Sequence, residues 1–323
     1  MNANHSPTRR ALLAATAAWL AVGPARAQTY PSRPVRLIVP APAGTSPDIV
    51  ARLWGERFAR ATGQAVVVDN KPGASTFLAA QAVAAAPADG HTLLYTVNST
   101  FSINPFVFKK LPYKSEDFAP VTRMLSVPYV LLVSAQSRVR TLADLINEAK
   151  ARPGQLNYSS GGVASGFHVA TARLLNEAGV TMTHVPYKDY FMPDLIAQRI
   201  DVGFDASTGA IPQIRAGKVR ALAVTSARRI EALPDVPAIA ETFPGFVADS
   251  WHGLFAPRGT SDAVINTLVA QSQRIVDAPD FRAALRDFAL TPVGGGAEAF
   301  RRFLADDAQT WAKVVRDNQI TNE

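Results

Sequence analysis

From Val35 onward, short β-branched and aliphatic runs alternate with longer alanine-rich stretches whose apolar residues recur every three to four positions. Runs of the first kind suit strands and those of the second suit helices, so the order predicts parallel strands covered by helices: an α/β chain throughout. The first unit reads as a strand over 35–39, a loop over 40–46 and a helix from Pro47. In that helix Ile49, Val50, Leu53 and Trp54 share one apolar face, with Ser46 suited to the cap and Pro47 to the first helical position. Strands at 65–68 and 92–96 follow, separated by a helix over 76–86 that Pro87 and Asp89-Gly90 close.

A second group begins after Val121. It has strands at 129–133, 156–159, 182–185, 202–204 and 219–224 and helices at 142–149 and 165–178. Leu233-Pro234-Asp235-Val236-Pro237 breaks the pattern as a connecting loop does. A strand at 251–255 and helices near 262–277, 280–288 and 297–315 complete the chain, the last with Phe300, Phe303, Leu304 and Trp311 at core spacing. The expected organisation is one lobe from 28–128 plus 250–323 and another from 129–249. A chain of 323 residues has length for two such domains.

The first 27 residues differ from the rest. Arg9-Arg10 precedes a 12-residue apolar run, and Ala25-Arg26-Ala27 offers an A-x-A cleavage site. The run falls well short of the ~20 residues that span a bilayer, so the segment reads as a secretory leader, cleaved after Ala27, with the mature protein free in the periplasm. The paired arginines leave the general and the twin-arginine export routes both open. The leader carries three arginines and no acid, so the net charge of +7 becomes +4 in the mature chain. That mild balance, with bases interleaved among acids, does not suggest nucleic acid as a partner. Cysteine is absent, which removes disulfides, thiolate metal sites and cysteine nucleophiles.

Enzyme signatures are missing: G-x-S-x-G, G-x-x-x-x-G-K-[ST] and H-E-x-x-H do not occur, and the nearest dinucleotide imitation, Gly161 to Gly166, has Val163 where a second glycine is required. His91, His168, His184 and His252 stand far apart in sequence, without metal-ligand spacing, and read as structural; no metal or cofactor is expected. Two strand-to-helix junctions rich in Gly, Ser and Thr carry the chemistry instead. They are Gly44-Thr45-Ser46 and Ser159-Ser160-Gly161-Gly162. Each aims backbone N–H groups from a helix N-terminus, where the dipole favours an anion, and ligands of open α/β sheets bind beyond the carboxyl ends of the strands. Neither junction contains Lys or Arg, which suggests a small carboxylate held by neutral donors.

At this point a family is recognisable. Tyr30 to Pro40, Val68-Asp69-Asn70-Lys71-Pro72-Gly73-Ala74, Ala88-Asp89-Gly90-His91-Thr92, Leu156-Asn157-Tyr158-Ser159-Ser160, His184-Val185-Pro186-Tyr187-Lys188 and Leu233 to Pro237 occur together and in order. The chain resembles the Bug or TctC-like solute receptors of tripartite tricarboxylate transport systems over about residues 30–320. The resemblance implies a type II periplasmic-binding-protein-like fold: two α/β lobes joined by crossing strands, with a ligand cleft between them. It further implies capture of a small organic acid, delivery to membrane transporter subunits through transient contact, and ligand contacts at Ala43, Gly44, Thr45 and Ser46 and at Ser160, Gly161, Gly162 and Val163. A monomer that is neither membrane-embedded nor an enzyme is expected.

Asp48, Ser99, Phe101, Tyr187, Asp189 and Asp205 are added as candidate ligand-binding residues. Three of the positions depart from the family pattern: Thr45 replaces a second glycine, Phe101 stands where a histidine is common, and Asp189 replaces the glycine after Val-Pro-Tyr-Lys in a segment about two residues short. Asp189 or Asp205 would meet an ammonium or hydroxyl of the ligand while Phe101, Tyr187 or Phe191 packs its carbon skeleton; alternatively, both acids cap helices or face solvent. Two rival functions are a sensory protein that signals to a membrane kinase and a periplasmic hydrolase using Asp48, Asp205 or His168.

Overall fold

The computed structural model describes residues 30–321, so the expected leader and its cleavage site lie outside the described residues. The strands form two sheets. Six of them, β1 (Val35–Val39), β2 (Val66–Asn70), β3 (Thr92–Val97), β4 (Phe118–Val127), β10 (Ser250–Pro257) and β11 (Thr291–Gly294), pair in the order β11-β4-β10-β3-β1-β2. The other five, β5 (Tyr129–Ser134), β6 (Asn157–Ser160), β7 (Thr183–Pro186), β8 (Val202–Ala206) and β9 (Val219–Val224), pair as β7-β6-β8-β5-β9. The chain passes from the first sheet to the second at Pro128 and returns between β9 and β10.

Both sheets are mixed rather than parallel throughout. β1 pairs in parallel with β2 and β3, and β6 with β7 and β8, each through a helical crossover. The strands next to the crossings run against them: β10 is antiparallel to β3 and β4, and β5 to β8 and β9. Neither β4 nor β11 is visible in the hydropathy pattern. β4 contains Pro120, which removes a ladder donor, and the structure tolerates it where the register with β10 shifts between Leu254 and Phe255.

Helices cover both sheets. Around the first lie α1 (Ser46–Thr62), α2 (Phe77–Ala84), the short α3 (Asn104–Val107), α8 (Asp262–Asp277), α9 (Pro279–Arg286) and α10 (Ala297–Asp317). Around the second lie α4 (Leu142–Ala151), α5 (Gly166–Ala178), α6 (Met192–Ile196) and α7 (Ser207–Arg215), the last with Pro212 inside it, which obscured it in the sequence. Buried aromatic residues fasten the C-terminal helices to the first sheet. Trp54 of α1 stacks on Phe58 at 4.6 Å and donates its indole N–H to Ser272 Oγ of α8 at 3.1 Å. Trp251 of β10 meets Phe300 of α10 edge-on at 5.5 Å and donates to Asp307 Oδ2 at 2.7 Å. Burying side chains of this size contributes about 1.5–3 kcal/mol each, which fixes the sheets and so the loops at their ends.

Candidate functional site

The parallel strands β1, β3, β6 and β8 deliver the predicted site segments to their carboxyl ends. The loop after β1 is self-contained. Gly44 turns at φ +81°, a conformation favouring glycine, and its N–H donates to Asp48 Oδ2 at 2.8 Å. The cap is Thr45 rather than Ser46: Thr45 is extended (φ −83°, ψ 167°) and its Oγ1 donates to the Pro42 carbonyl at 2.7 Å, while Ser46 begins α1. Asn70 at the end of β2 donates to Asp48 Oδ1 at 3.0 Å and to the Ala41 carbonyl at 2.9 Å, tying the loop to the sheet. Arg52, one turn along α1, pairs with Asp48 at 2.8 Å. Burial pushes the Asp48 carboxyl upward, but hydrogen bonds from Arg52, Gly44 and Asn70 and the Arg52 charge outweigh it, leaving Asp48 below the ordinary carboxylate range. Asp48 is 3% exposed and therefore supports the loop, whereas Ala43 is exposed and the buried Ser46 Oγ has no partner among the described residues.

The loop after β6 is built differently. The buried Ser160 hydroxyl accepts from the Gly162 N–H at 3.1 Å, lies 3.1 Å from the Gly162 carbonyl, and meets His184 Nε2 at 2.6 Å. Gly162 has φ +102° and Ala164 φ +64°, so two left-handed residues bring the chain into α5. Ser165 caps that helix, accepting from the His168 N–H at 3.2 Å. No acid occupies the first turn of α5, and among the described residues the Gly161 and Val163 amides have no hydrogen-bond partner. A helix terminus with free amides and no acid of its own is chemically suited to an anion.

The segment between β2 and α2 comes within hydrogen-bond reach of the loop after β6. Ser75 Oγ, before α2, donates to the Val163 carbonyl at 3.1 Å. Ser75 and Thr76 have φ +50° and +78° and are held by Asn104, which donates to the Ser75 carbonyl at 2.7 Å, and by Thr100, which donates to Thr76 Oγ1 at 3.0 Å. Ser99 begins the wide helical turn Ser99–Ile103 that carries Thr100.

The remaining predicted residues separate. Phe101 lies inside an aromatic cluster, 4.4 Å from Phe255 and 5.1 Å from Phe118 between ring centroids, and is 7% exposed. Phe191 is also in the core, and Tyr187 donates its hydroxyl to Asp194 at 2.8 Å. Asp189 is exposed. Asp205, at the end of β8, is 5% exposed and accepts from its neighbouring Ala206 N–H at 2.8 Å and from the Tyr190 hydroxyl at 2.6 Å. Burial raises its carboxyl to about 7, only partly offset by those two bonds. Tyr190 was missed in the sequence: it is 47% exposed yet its hydroxyl covers the buried acid, and its place beside Asp189 in the shortened segment was the available signal.

The histidines are not independent. His168 of α5 and His184 of β7 stack at 4.1 Å, and Tyr158 of β6 stacks on His184 at 4.9 Å. His168 Nδ1 accepts from the Ala164 N–H at 3.4 Å. Among the described residues no group of three or more His, Asp or Glu side chains forms a metal site.

Comparison with known proteins shows the family and the fold. Residues 50–320 match the model of the tripartite tricarboxylate transporter family receptor, TctC. A Pseudomonas protein encoded in the tcbD–tcbE intergenic region is 38% identical over 97% of this chain and 95% of its own. Among solved structures, a Rhodopseudomonas palustris protein with adipate has a TM-score of 0.87 at 33% identity, covering 90% of this chain and 99% of that one. MatC from the same organism, with bound malate, has a TM-score of 0.83 at 30% identity, covering 88% and 100%. No helix among the described residues is long and apolar enough to cross a membrane. With the family model covering most of its length and its fold shared with those two-lobed binding proteins, the chain belongs to the tripartite tricarboxylate transporter receptor family.

Proposed function

We propose that this chain is an exported, non-enzymatic receptor that captures a small dicarboxylate or related acid between two lobes and presents it to membrane transporter subunits. The observation that carries the reading is the loop after β6, where neutral donors surround a helix terminus that holds no acid of its own. The adipate and malate bound by the structural relatives support the same chemistry. Residues 30–128 with 250–321 move as one body and 129–249 as the other, and ligand bridging both bodies stabilises the closed arrangement that a transporter recognises. Ser160, Gly161, Gly162 and Val163 hold the carboxylate; Thr45, Ser46 and Ser99 line the opposing wall; Tyr190 and Asp205 bound the pocket on the second body. Asp205 already accepts two hydrogen bonds and keeps its proton near neutral pH, which favours a ligand hydroxyl or methylene there over an ammonium.

A thermal-shift panel of dicarboxylates, tricarboxylates, aromatic acids, amino acids and nicotinate-like compounds tests this. At a hundred times Kd a ligand adds ~2.7 kcal/mol, which raises the melting temperature of a chain this size by about 5 °C. A shift confined to one acid class identifies the ligand family, and succinate outperforming aspartate supports the Asp205 assignment. A flat panel would overturn carboxylate capture.

A further inference from the structure

The ligand loop of the second sheet is anchored at both ends by one side-chain assembly. Ser160, at its start, is held by His184 Nε2 at 2.6 Å, and Ala164, near its end, donates its N–H to His168 Nδ1 at 3.4 Å. The two rings belong to different elements, β7 and α5, and lie face to face at 4.1 Å with 19° between their planes. Ala164 is fully buried with φ +64°, a conformation an alanine keeps only when its surroundings enforce it.

We propose that the stacked His168–His184 pair is the positioning device of the ligand loop, competent only while both rings are neutral, so that protonating either one releases the loop and its carboxylate. This inference rests on the ligand site proposed above. The bond pattern supplies the reason. The Ala164 N–H needs an unprotonated Nδ1 on His168; a proton there sets two N–H groups against each other. With His184 Nε2 unprotonated, Ser160 donates to it and keeps its lone pairs for Gly162 N–H. When Nε2 carries a proton, Ser160 accepts from it, donates to the Gly162 carbonyl at 3.1 Å and still accepts from the Gly162 N–H, so a charged His184 acts through the positive charge it sets against His168 rather than by breaking this bond. The groups facing the rings are Tyr158 from β6, which stacks on them at 4.9 and 6.3 Å, Ser160, and each imidazole on the other. Among the described residues no carboxylate bonds to either ring, so nothing offsets a positive charge placed in the stack. Burial, and for His168 also the neighbouring ring, pushes both imidazoles down, His168 to about 4.

Two measurements on the exported protein test the proposal. In nitrogen-edited NMR from pH 8 to 3.5, both rings are expected neutral at pH 6, His168 with its proton on Nε2, and the Gly162 and Ala164 amide shifts should follow the ring titration. Ordinary titration near 6.5 with those amides unmoved would overturn the assignment. The second measurement is adipate affinity at pH 7.5 and 4 for wild type, His168→Asn with His184→Gln, and His184→Ala. The Asn/Gln pair retains acceptors where Nδ1 and Nε2 stood and should bind within about threefold of wild type at pH 7.5. Between the two pH values it should lose at least tenfold less affinity than wild type. His184→Ala should bind about tenfold more weakly at both. Parallel profiles for wild type and the Asn/Gln protein, which share adipate's own protonation, would refute the switch. If no carboxylate binds at any pH, the proposed function fails and takes the ligand half of this inference with it, while the amide titration still decides whether the rings position the loop.

Discussion

Asp48 and Asp205 stand at strand-to-helix junctions of the two sheets, and both are nearly inaccessible to water, yet their carboxyls are pushed in opposite directions from the ordinary Asp value. Asp48 is ionised because a backbone amide, an asparagine and an arginine all donate to it. Asp205 keeps its proton to about pH 7 because burial faces only a tyrosine hydroxyl and one amide. A buried carboxylate thus completes the first loop from within, and its charge already satisfies the N-terminus of α1. The second loop has no such internal anion, so the favourable end of α5 remains for a ligand. Similar glycine-rich turns are therefore built differently: one is braced by an internal carboxylate and the other, without one, is the turn to which the proposed carboxylate site is assigned.

The largest test of this contrast is Asp48→Ala. It strips the Gly44 amide, Asn70 and Arg52 of their partner at once, and should cost about 2–3 kcal/mol, the exposure of Arg52 keeping it from the upper range of buried pairs. Urea denaturation should show that loss, with adipate binding weakened as a consequence of a disordered wall. Asp205→Asn comes next and depends on pH. The raised carboxyl adds stability that is complete below the ordinary Asp range and is lost as pH rises toward 7, because the unfolded chain releases its proton first. The variant should therefore gain on wild type by on the order of 2 kcal/mol between pH 5 and 7.5, and a pH-independent difference would show that Asp205 is ionised after all. Ser160→Ala should invert the Asp48 result: about tenfold weaker adipate affinity, or ~1.4 kcal/mol, with a smaller stability loss of about 1 kcal/mol in denaturation. The smallest effect belongs to Thr45→Gly, which removes only the bond to Pro42 and should change stability by a few tenths of a kcal/mol, ~0.3 by melting.

Much of this architecture was legible in the chain. The apolar run of β1 and the 3.6-residue stripes of α1, α5 and α8 need no tertiary information, because each element buries one face. β4 was not, since Pro120, Thr122, Arg123 and Ser126 break its alternation and its place between β10 and β11 depends on partners more than 120 residues away. The two candidate loops were read from their Gly, Ser and Thr content, but not the fact that Asp48 fills one of them, which takes a hydrogen-bond map. Phe101 has the composition of a pocket wall and the surroundings of a core residue. His168 and His184 are brought together by the β6–α5–β7 crossover, a proximity that no period in the sequence encodes.

The strand at the middle of the six-stranded sheet has a consequence for biogenesis. β10 separates β3 from β4, so the first 127 residues cannot complete their own sheet until residue 257 has been synthesised. The five strands of the other sheet are contiguous between residues 129 and 224 and can pair among themselves without waiting. β1, β2 and β3 can pair as soon as they are made, but the outer edge of β3 and the whole of β4 have no sheet partner until β10 follows.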